Sequence, residues 1–317
     1  MHDTAAHILE NAPLRYRISR KLNLFLAKKL KVPRVSAIRI ARTVNIIAKP
    51  FTQIQRRRAA EEIIRQRART KPAVTIDKKE GYSFTSPKEV PEIADAIAEA
   101  AGIYRIAAEK QALERVEGGT SRKAFMMQAA EGAAMNRYTD IMRAAVARPL
   151  LDAVTEYLGE VPILGNVTIM VSVPNNSQVG SQLYHLDFAD EKQIKLFIYV
   201  DEVTQDNGPF TFTPISVTNE LIKAYGYDRG RLTIDEVEKA VGAEKEIKVT
   251  GPAGTALLCD TSRCLHYGSN RNKTTRVVLL IQYVAHAVPE QPPAVWPVDD
   301  IAKRIPLDSI QRMALTV

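Results

Sequence analysis

The sequence predicts a mainly β protein: a jelly-roll core, flanked by helices and preceded by a helical N-terminal extension. Three observations carry the prediction. Between residues 162 and 284, seven short strand-like runs follow one another, separated by Gly, Pro, Asn and Asp turn signals. Residues 89–159, before them, are rich in Ala and Glu, with apolar residues three and four apart. At the start of the chain, residues 1–72 hold 18 of the 44 Lys+Arg but only 4 of the 36 Asp+Glu, a net charge of +14 against −6 for the remainder. The boundary is therefore drawn at 72/73, between a basic helical extension (1–72) and a barrel domain with its supporting helices (73–317).

In the extension, Leu14, Ile18, Leu22, Leu26 and Leu30 recur every four residues among Arg15, Arg17, Arg20, Lys21, Lys28 and Lys29, the pattern of a basic amphipathic helix. Two more helical segments follow, one ending at Pro50 and one through QIQRRRAAEEIIRQRART. An apolar stripe needs a partner. The extension is expected to dock on the barrel or a second subunit, or to meet an acidic partner: a membrane surface, a carrier protein or a nucleotide-containing substrate. Nucleic acid is not expected, because neither a recognition motif nor an aromatic platform accompanies the charges.

Residues 89–117 and 121–159 read as helices that buttress one sheet, with Thr120 and Ser121 as caps. Met126, Met127, Met135 and Met142 fall at helical spacing and read as core fillers. The strand-like runs are ILGNVTIMVSVP, SQLYHLDF, KQIKLFIYVDEV, GPFTFTPIS, EKEIKVTG, GTALLCD and RVVLLIQYV. Asn207-Gly208-Pro209 is a turn, since Asn and Gly tolerate left-handed dihedrals and Pro209 has no amide to donate at the strand start. Between the fourth and fifth runs an insertion carries helical spacing in two stretches. Its Tyr225 and Tyr227 read as packing aromatics.

The residues that carry chemistry are His185, Asp187, His266 and Arg276. Alternation in SQLYHLDF sends His185 and Asp187 to one face and Tyr184 and Leu186 to the other, so one strand is expected to present two ligands. Two imidazoles and one carboxylate can fill one face of an octahedral iron(II) ion, leaving positions for a chelating cosubstrate and dioxygen. A His-x-Asp pair alone is commonly structural. Here, however, the chain has only five histidines, His2 and His7 lie at the terminus, and two of the other three take the required positions. Arg276 opens the apolar run RVVLLIQYV, where a buried guanidinium needs an anion: a structural salt bridge or a bound carboxylate.

From about Asn166 to Val284 the sequence resembles the phytanoyl-CoA dioxygenase family of iron(II)/2-oxoglutarate-dependent oxygenases, built on a cupin-like double-stranded β-helix. The resemblance rests on YHLDF, VDEVTQDNGPFTFTPIS, GTALLCDTSRCLHYGS and RVVLLIQYV. It implies iron(II) held by His185, Asp187 and His266, and 2-oxoglutarate paired through Arg276, with Ser269 and Thr213 as accessory cosubstrate contacts. It also implies that 2-oxoglutarate is decarboxylated to succinate as O2 is split and a substrate is hydroxylated. Where the family continues Pro-Gly-Ser-His, this chain has Pro214, Ile215, Ser216 and Val217.

With 317 residues, 45% of them hydrophobic, the chain can bury one large core and a helical appendage. No apolar run reaches membrane-spanning length and basic residues interrupt any secretory core, so a cytoplasmic protein is expected. Cys259 and Cys264 alone suggest no disulfide scaffold. Two other functions fit the triad: a zinc hydrolase, for which no general base is evident, and a non-catalytic metal- or ligand-binding module. The substrate, small or carrier-bound, is set by loops that the core motifs do not define.

Overall fold

Nine strands among residues 13–116, 127–174, 179–226, 230–289 and 292–317, which a computed structural model describes, form two antiparallel sheets. In chain order they are β1 (Tyr82–Thr85), β2 (Met127–Glu131), β3 (Ile163–Ser172), β4 (Gln193–Tyr199), β5 (Thr211–Phe212), β6 (Ile247–Lys248), β7 (Ala256–Asp260), β8 (His266–Tyr267) and β9 (Arg276–Val284). The larger sheet has the order β1-β7-β4-β9-β3-β2 and the smaller β6-β5-β8. The chain passes back and forth between them from β4 to β9, the double-stranded β-helix expected from sequence.

Strand alternation divides the large sheet into two faces. Ile194, Leu196 and Ile198 of β4, with Val277, Leu279, Ile281 and Tyr283 of β9, pack outward under helices. Those helices are α4 (Glu92–Val116), α5 (Thr139–Ala145) and α6 (Arg148–Leu158), preceded in the chain by α1 (Leu14–Lys28), α2 (Arg34–Ala48) and α3 (Pro50–Arg67). On the inner face, Tyr199, Leu257 and Val278 meet Phe210 and Phe212 of the small sheet. Cys259 and Cys264 are free thiols buried in this inner cluster. The insertion supplies α7 (Ile215–Tyr225) and α8 (Ile234–Val241), and α9 (Val298–Ala302) and α10 (Ser309–Leu315) close the chain. Helical residues outnumber strand residues, 47% to 17%, so "mainly β" describes the core that builds the site.

Three expectations need correction. MQAAE, read as helix, is strand β2, because pairing with β3 overrides the helix preference of Ala, Gln and Glu. SQLYHLDF is not a regular strand: it holds its place through isolated bridges, Tyr184 to Leu232 and His185 to His266. The leucine stripe of the extension faces inward only in part, at Leu26. Leu14 is 66% and Ile18 46% exposed, while the buried face of α1 carries Arg15, Tyr16, Ser19, Asn23 and Leu26. The reason is local: the neighbouring chain offers backbone carbonyls, and Ser19 and Tyr16 donate to those of Pro289 and His286. Gly118 to Ser121, Met126 and Tyr227 lie outside the described residues. Met135 and Met142 are buried, as expected of core.

The extension is docked on the barrel at one end of the large sheet, where Ile163 pairs with Val284 and Val284 with Gln193. Tyr16 joins Ile163, Val284 and Val288 in an apolar cluster. Arg56, 1% exposed, donates to the carbonyls of Val161, Pro162 and Met313. Across the expected boundary, Arg67 pairs with Glu156 at 2.8 Å and donates to the Val74 carbonyl.

Candidate metal centre

His185 and His266 are direct partners in an antiparallel bridge beside the small sheet, tied by reciprocal backbone hydrogen bonds of 2.9 and 3.0 Å. Each imidazole donates from Nδ1 to the carbonyl two residues before it, His185 to Leu183 and His266 to Cys264, both at 2.9 Å. A carbonyl can only accept, so the proton sits on Nδ1 and the lone pair of Nε2 is presented to the shared space. Asp187 is fixed through its amide, which donates to the Thr261 carbonyl at 2.9 Å. One ligand atom from each of His185, Asp187 and His266 lies within 4.8 Å of the others. Tyr184 and Leu186, alternating with the ligands, point away into a cluster with Leu221, Leu232 and Val237 of the insertion.

The electrostatics suit a metal. Burial keeps both imidazoles neutral; it lowers His185, and it brings His266 down to about 3, helped by its neighbour His185. Burial alone would raise Asp187, but the Lys195 ammonium overcomes it and holds the carboxyl well below the usual carboxylate range. The Lys195 ammonium lies 2.7 Å from Asp187 Oδ2. Two neutral imidazole nitrogens and one ionised carboxylate oxygen form the donor set that divalent iron accepts.

His185 and His266 open into a pocket of about 570 Å³ of empty space, including its open mouth. Met170, Phe197, Phe210, Val278 and Leu280 make its apolar walls, and Ser181, Lys195 and Arg276 its other polar groups. Phe210 stacks on Phe197 with ring centroids 4.1 Å apart and lies 5.4 Å from the His266 ring. Arg276 is 5% exposed, and burial lowers its basicity. Its Nη1 donates to the Gly208 carbonyl at 2.7 Å, while its Nε has no hydrogen-bond partner. Among the described residues no carboxylate pairs with it. Gly208, in the predicted turn, has φ +62°, and a Cβ there would meet Asn272 Cβ at 2.9 Å. The turn thus places its carbonyl against the guanidinium.

The pocket gathers His185, His266 and Arg276, with Asp187 clustered beside the two imidazoles, but not the two expected hydroxyls. Thr213 is fully buried and spends its hydroxyl on Thr218 and the Leu265 carbonyl. Ser269, also buried, donates to Asn272 Oδ1 at 3.2 Å from a left-handed backbone, φ +48°. Lys195 was not anticipated. The signal was present: in QIKLFIYV it shares the alternate face with Phe197 and Tyr199. Tyr225 donates to the Glu236 carbonyl, tying the two insertion helices together.

Comparison with known proteins agrees with this geometry. No curated protein sequence shows significant similarity to the chain. Among solved structures, EctD from S. alaskensis with 2-oxoglutarate and 5-hydroxyectoine is 18% identical over 67% of this chain and 76% of its own, TM-score 0.46. AviO1 from Streptomyces viridochromogenes Tue57 is 16% identical over 70% and 99%, TM-score 0.44. The epimerase SnoN with Fe3+, alpha ketoglutarate and nogalamycin RO is 13% identical over 72% and 84%, TM-score 0.42. At these values none of the three bears on substrate. The phytanoyl-CoA dioxygenase (PhyH) family matches residues 65–277, about a hundred residues further towards the N-terminus than the motifs alone suggest. That match spans most of the chain, including the His-x-Asp segment, His266 and Arg276, and it shows that the chain belongs to the phytanoyl-CoA dioxygenase family of iron(II)/2-oxoglutarate-dependent oxygenases.

Proposed function

We propose that His185, Asp187 and His266 hold the iron, that Arg276 pairs with the distal carboxylate of 2-oxoglutarate, and that the enzyme hydroxylates a small or carrier-bound organic substrate. One observation carries the reading: a buried guanidinium without a carboxylate partner opens into the pocket lined by His185 and His266, the two imidazoles that Asp187 joins in one cluster. Iron(II) with 2-oxoglutarate and dioxygen supplies the oxidising power when bound. The chain supplies geometry. Arg276 offers a planar fork to a carboxylate, and the Gly208 carbonyl fixes the fork's direction. Phe197, Phe210 and Leu280 exclude water from the reacting carbon. The Leu183 and Cys264 carbonyls hold both imidazoles in the metal-binding tautomer.

The apolar walls favour a substrate that presents a hydrocarbon segment to the metal. A hydrolase on the same triad needs a general base beside the metal-bound water. None of the lining residues is a carboxylate, and Asp187, which lies beside the two imidazoles, is taken up as a ligand. Asp187 also takes the coordination position that a halide would need, so oxygen insertion is favoured over halogenation. The test is to incubate metabolite pools with the protein, iron(II), ascorbate and 2-oxoglutarate under 18O2, and to follow succinate and products by mass spectrometry. The expected result is succinate formation with a product gaining one labelled oxygen, both abolished in a folded Asp187→Ala variant. Undiminished turnover in that variant overturns the metal assignment, and a chlorinated product overturns hydroxylation.

A further inference from the structure

Helix α2 lies outside the region matched by the family, yet it grips the segment that carries Asp187. Arg34, the first residue of α2, is 5% exposed and reaches into the barrel wall. Its Nη1 donates to the carbonyl of Asp187 at 3.0 Å, and its Nη2 to the carbonyl of Ser262, also at 3.0 Å. The guanidinium lies 5.5 Å from the ring of Phe188, the next residue along. Asp187 belongs to one ligand-bearing segment. Ser262 belongs to the turn after β7 that leads into His266. A single planar fork therefore staples together the two stretches of chain that bring the three ligands into one place.

The rest of α2 reinforces the grip. Arg42 donates to Asp190 at 3.2 Å, and Arg39 pairs with Glu191. Both partners lie on the stretch between Asp187 and β4. At the other end of the helix, Asn45 donates to the carbonyls of Ala287 and Val288 at 3.3 and 2.9 Å. SQLYHLDF has little strand pairing of its own, so the backbone of Asp187 is held by one amide bond to Thr261 and by this arginine. We propose that Arg34 is a positioning residue of the metal centre: the N-terminal helix outside the family's matched region completes the site by fixing the backbone of Asp187 against the turn that leads to His266. The inference rests on the reading of His185, Asp187 and His266 as metal ligands.

The test uses the full-length protein and Co(II), whose visible absorption reports coordination geometry independently of turnover. Arg34→Met should weaken Co(II) affinity by roughly 10–100-fold, the range for losing an outer partner of a metal ligand, and should alter the Co(II) spectrum. Arg34→Lys, which can reach only one carbonyl at a time, should fall between the two. Asn45→Ala loosens the same helix without touching Asp187. It should lower the melting temperature while leaving Co(II) affinity and spectrum as in the wild type. Wild-type affinity and spectrum in Arg34→Met would overturn the inference. Should that variant not fold, the same result in Arg34→Lys would do so. A matching loss of affinity in Asn45→Ala would overturn it as well, by showing that docking alone accounts for the effect. If the wild type takes up no Co(II), the ligand assignment itself fails, and the inference with it.

Discussion

A single buried arginine sets the sharpest expectation for binding. Arg276 has a backbone carbonyl on one nitrogen, nothing on Nε and no carboxylate partner among the described residues, which suits it to take up an anion. A lysine keeps the charge but loses the fork, and a charge-assisted hydrogen bond contributes about 1.5–3 kcal/mol. Arg276→Lys should therefore weaken 2-oxoglutarate binding by roughly tenfold or more while changing iron affinity little. Calorimetry with each ligand separates the two, and an unchanged affinity for 2-oxoglutarate would move the carboxylate site elsewhere. The candidate ligands and this arginine stand out in the sequence because scarcity and context mark them: few histidines, and a cation opening an apolar strand. Lys195 was hidden among ordinary surface lysines until alternation was applied to its own strand. Arg34 gave no local sign, since its partner Asp187 is 153 positions away along the chain.

At the scale of elements, legibility followed length and pairing. β9 occupies RVVLLIQYV from end to end, because a run buried on both faces needs no partner to identify it. The two-residue strands β5, β6 and β8 are defined by pairing alone, and β2 by its register with β3. Helix α1 follows its sequence pattern, but of its leucine stripe only Leu26 is buried, and hydrogen-bonding residues occupy most of the inward face. That docking is expected to depend on pH through His286. Arg15 Nη1 lies 3.2 Å from its Nε2, which must accept, and Nδ1 faces Gln53 Oε1 at 3.3 Å. Burial, with Arg15, Arg56 and Lys49 nearby, pushes His286 down from 6.5 to about 3. Below pH 6.5 the unfolded chain binds a proton that the folded chain refuses, so stability falls as pH drops from that value towards 3. His286→Gln keeps an acceptor and should flatten the fall in melting temperature between pH 7 and 5. His185 and His266 act in the same direction in both proteins, so the difference isolates His286. Parallel curves for the two would show that it does not couple docking to pH.

For the whole molecule, side-chain contacts cross the compositional boundary at 72/73. The extension was recognisable from its charge, but charge says nothing about which side chains turn inward. Tyr16, Ile38, Ala41, Ala60 and Ile63 are buried, and Arg56 is sealed among carbonyls of α3's neighbours on the barrel and at the C-terminus. A chain beginning at residue 73 would expose the apolar cluster around Ile163, Val284 and Val288. It is expected to aggregate, or to lose its single cooperative melting transition. Light scattering and calorimetry on the shortened protein check this. A monomer that melts cooperatively near the wild-type temperature would restore the extension to the rank of an appendage.

The docked helices also give the molecule an electrical polarity. Residues 1–72 carry +14 and the remainder −6, and α1 to α3 all sit at one end of the large sheet. Some of that charge is neutralised on the spot, by Glu191, Asp190 and Glu156, but Arg17, Lys21, Lys28, Lys29, Arg57 and Arg58 face solvent. At about 0.01 M salt fields reach roughly 30 Å, and at physiological salt about 8 Å. Molecules should therefore attract one another head to tail in dilute buffer and part as salt is added. An apparent mass by light scattering that falls between 0.01 and 0.3 M NaCl would record this, and one independent of salt would mean that the two ends do not see each other.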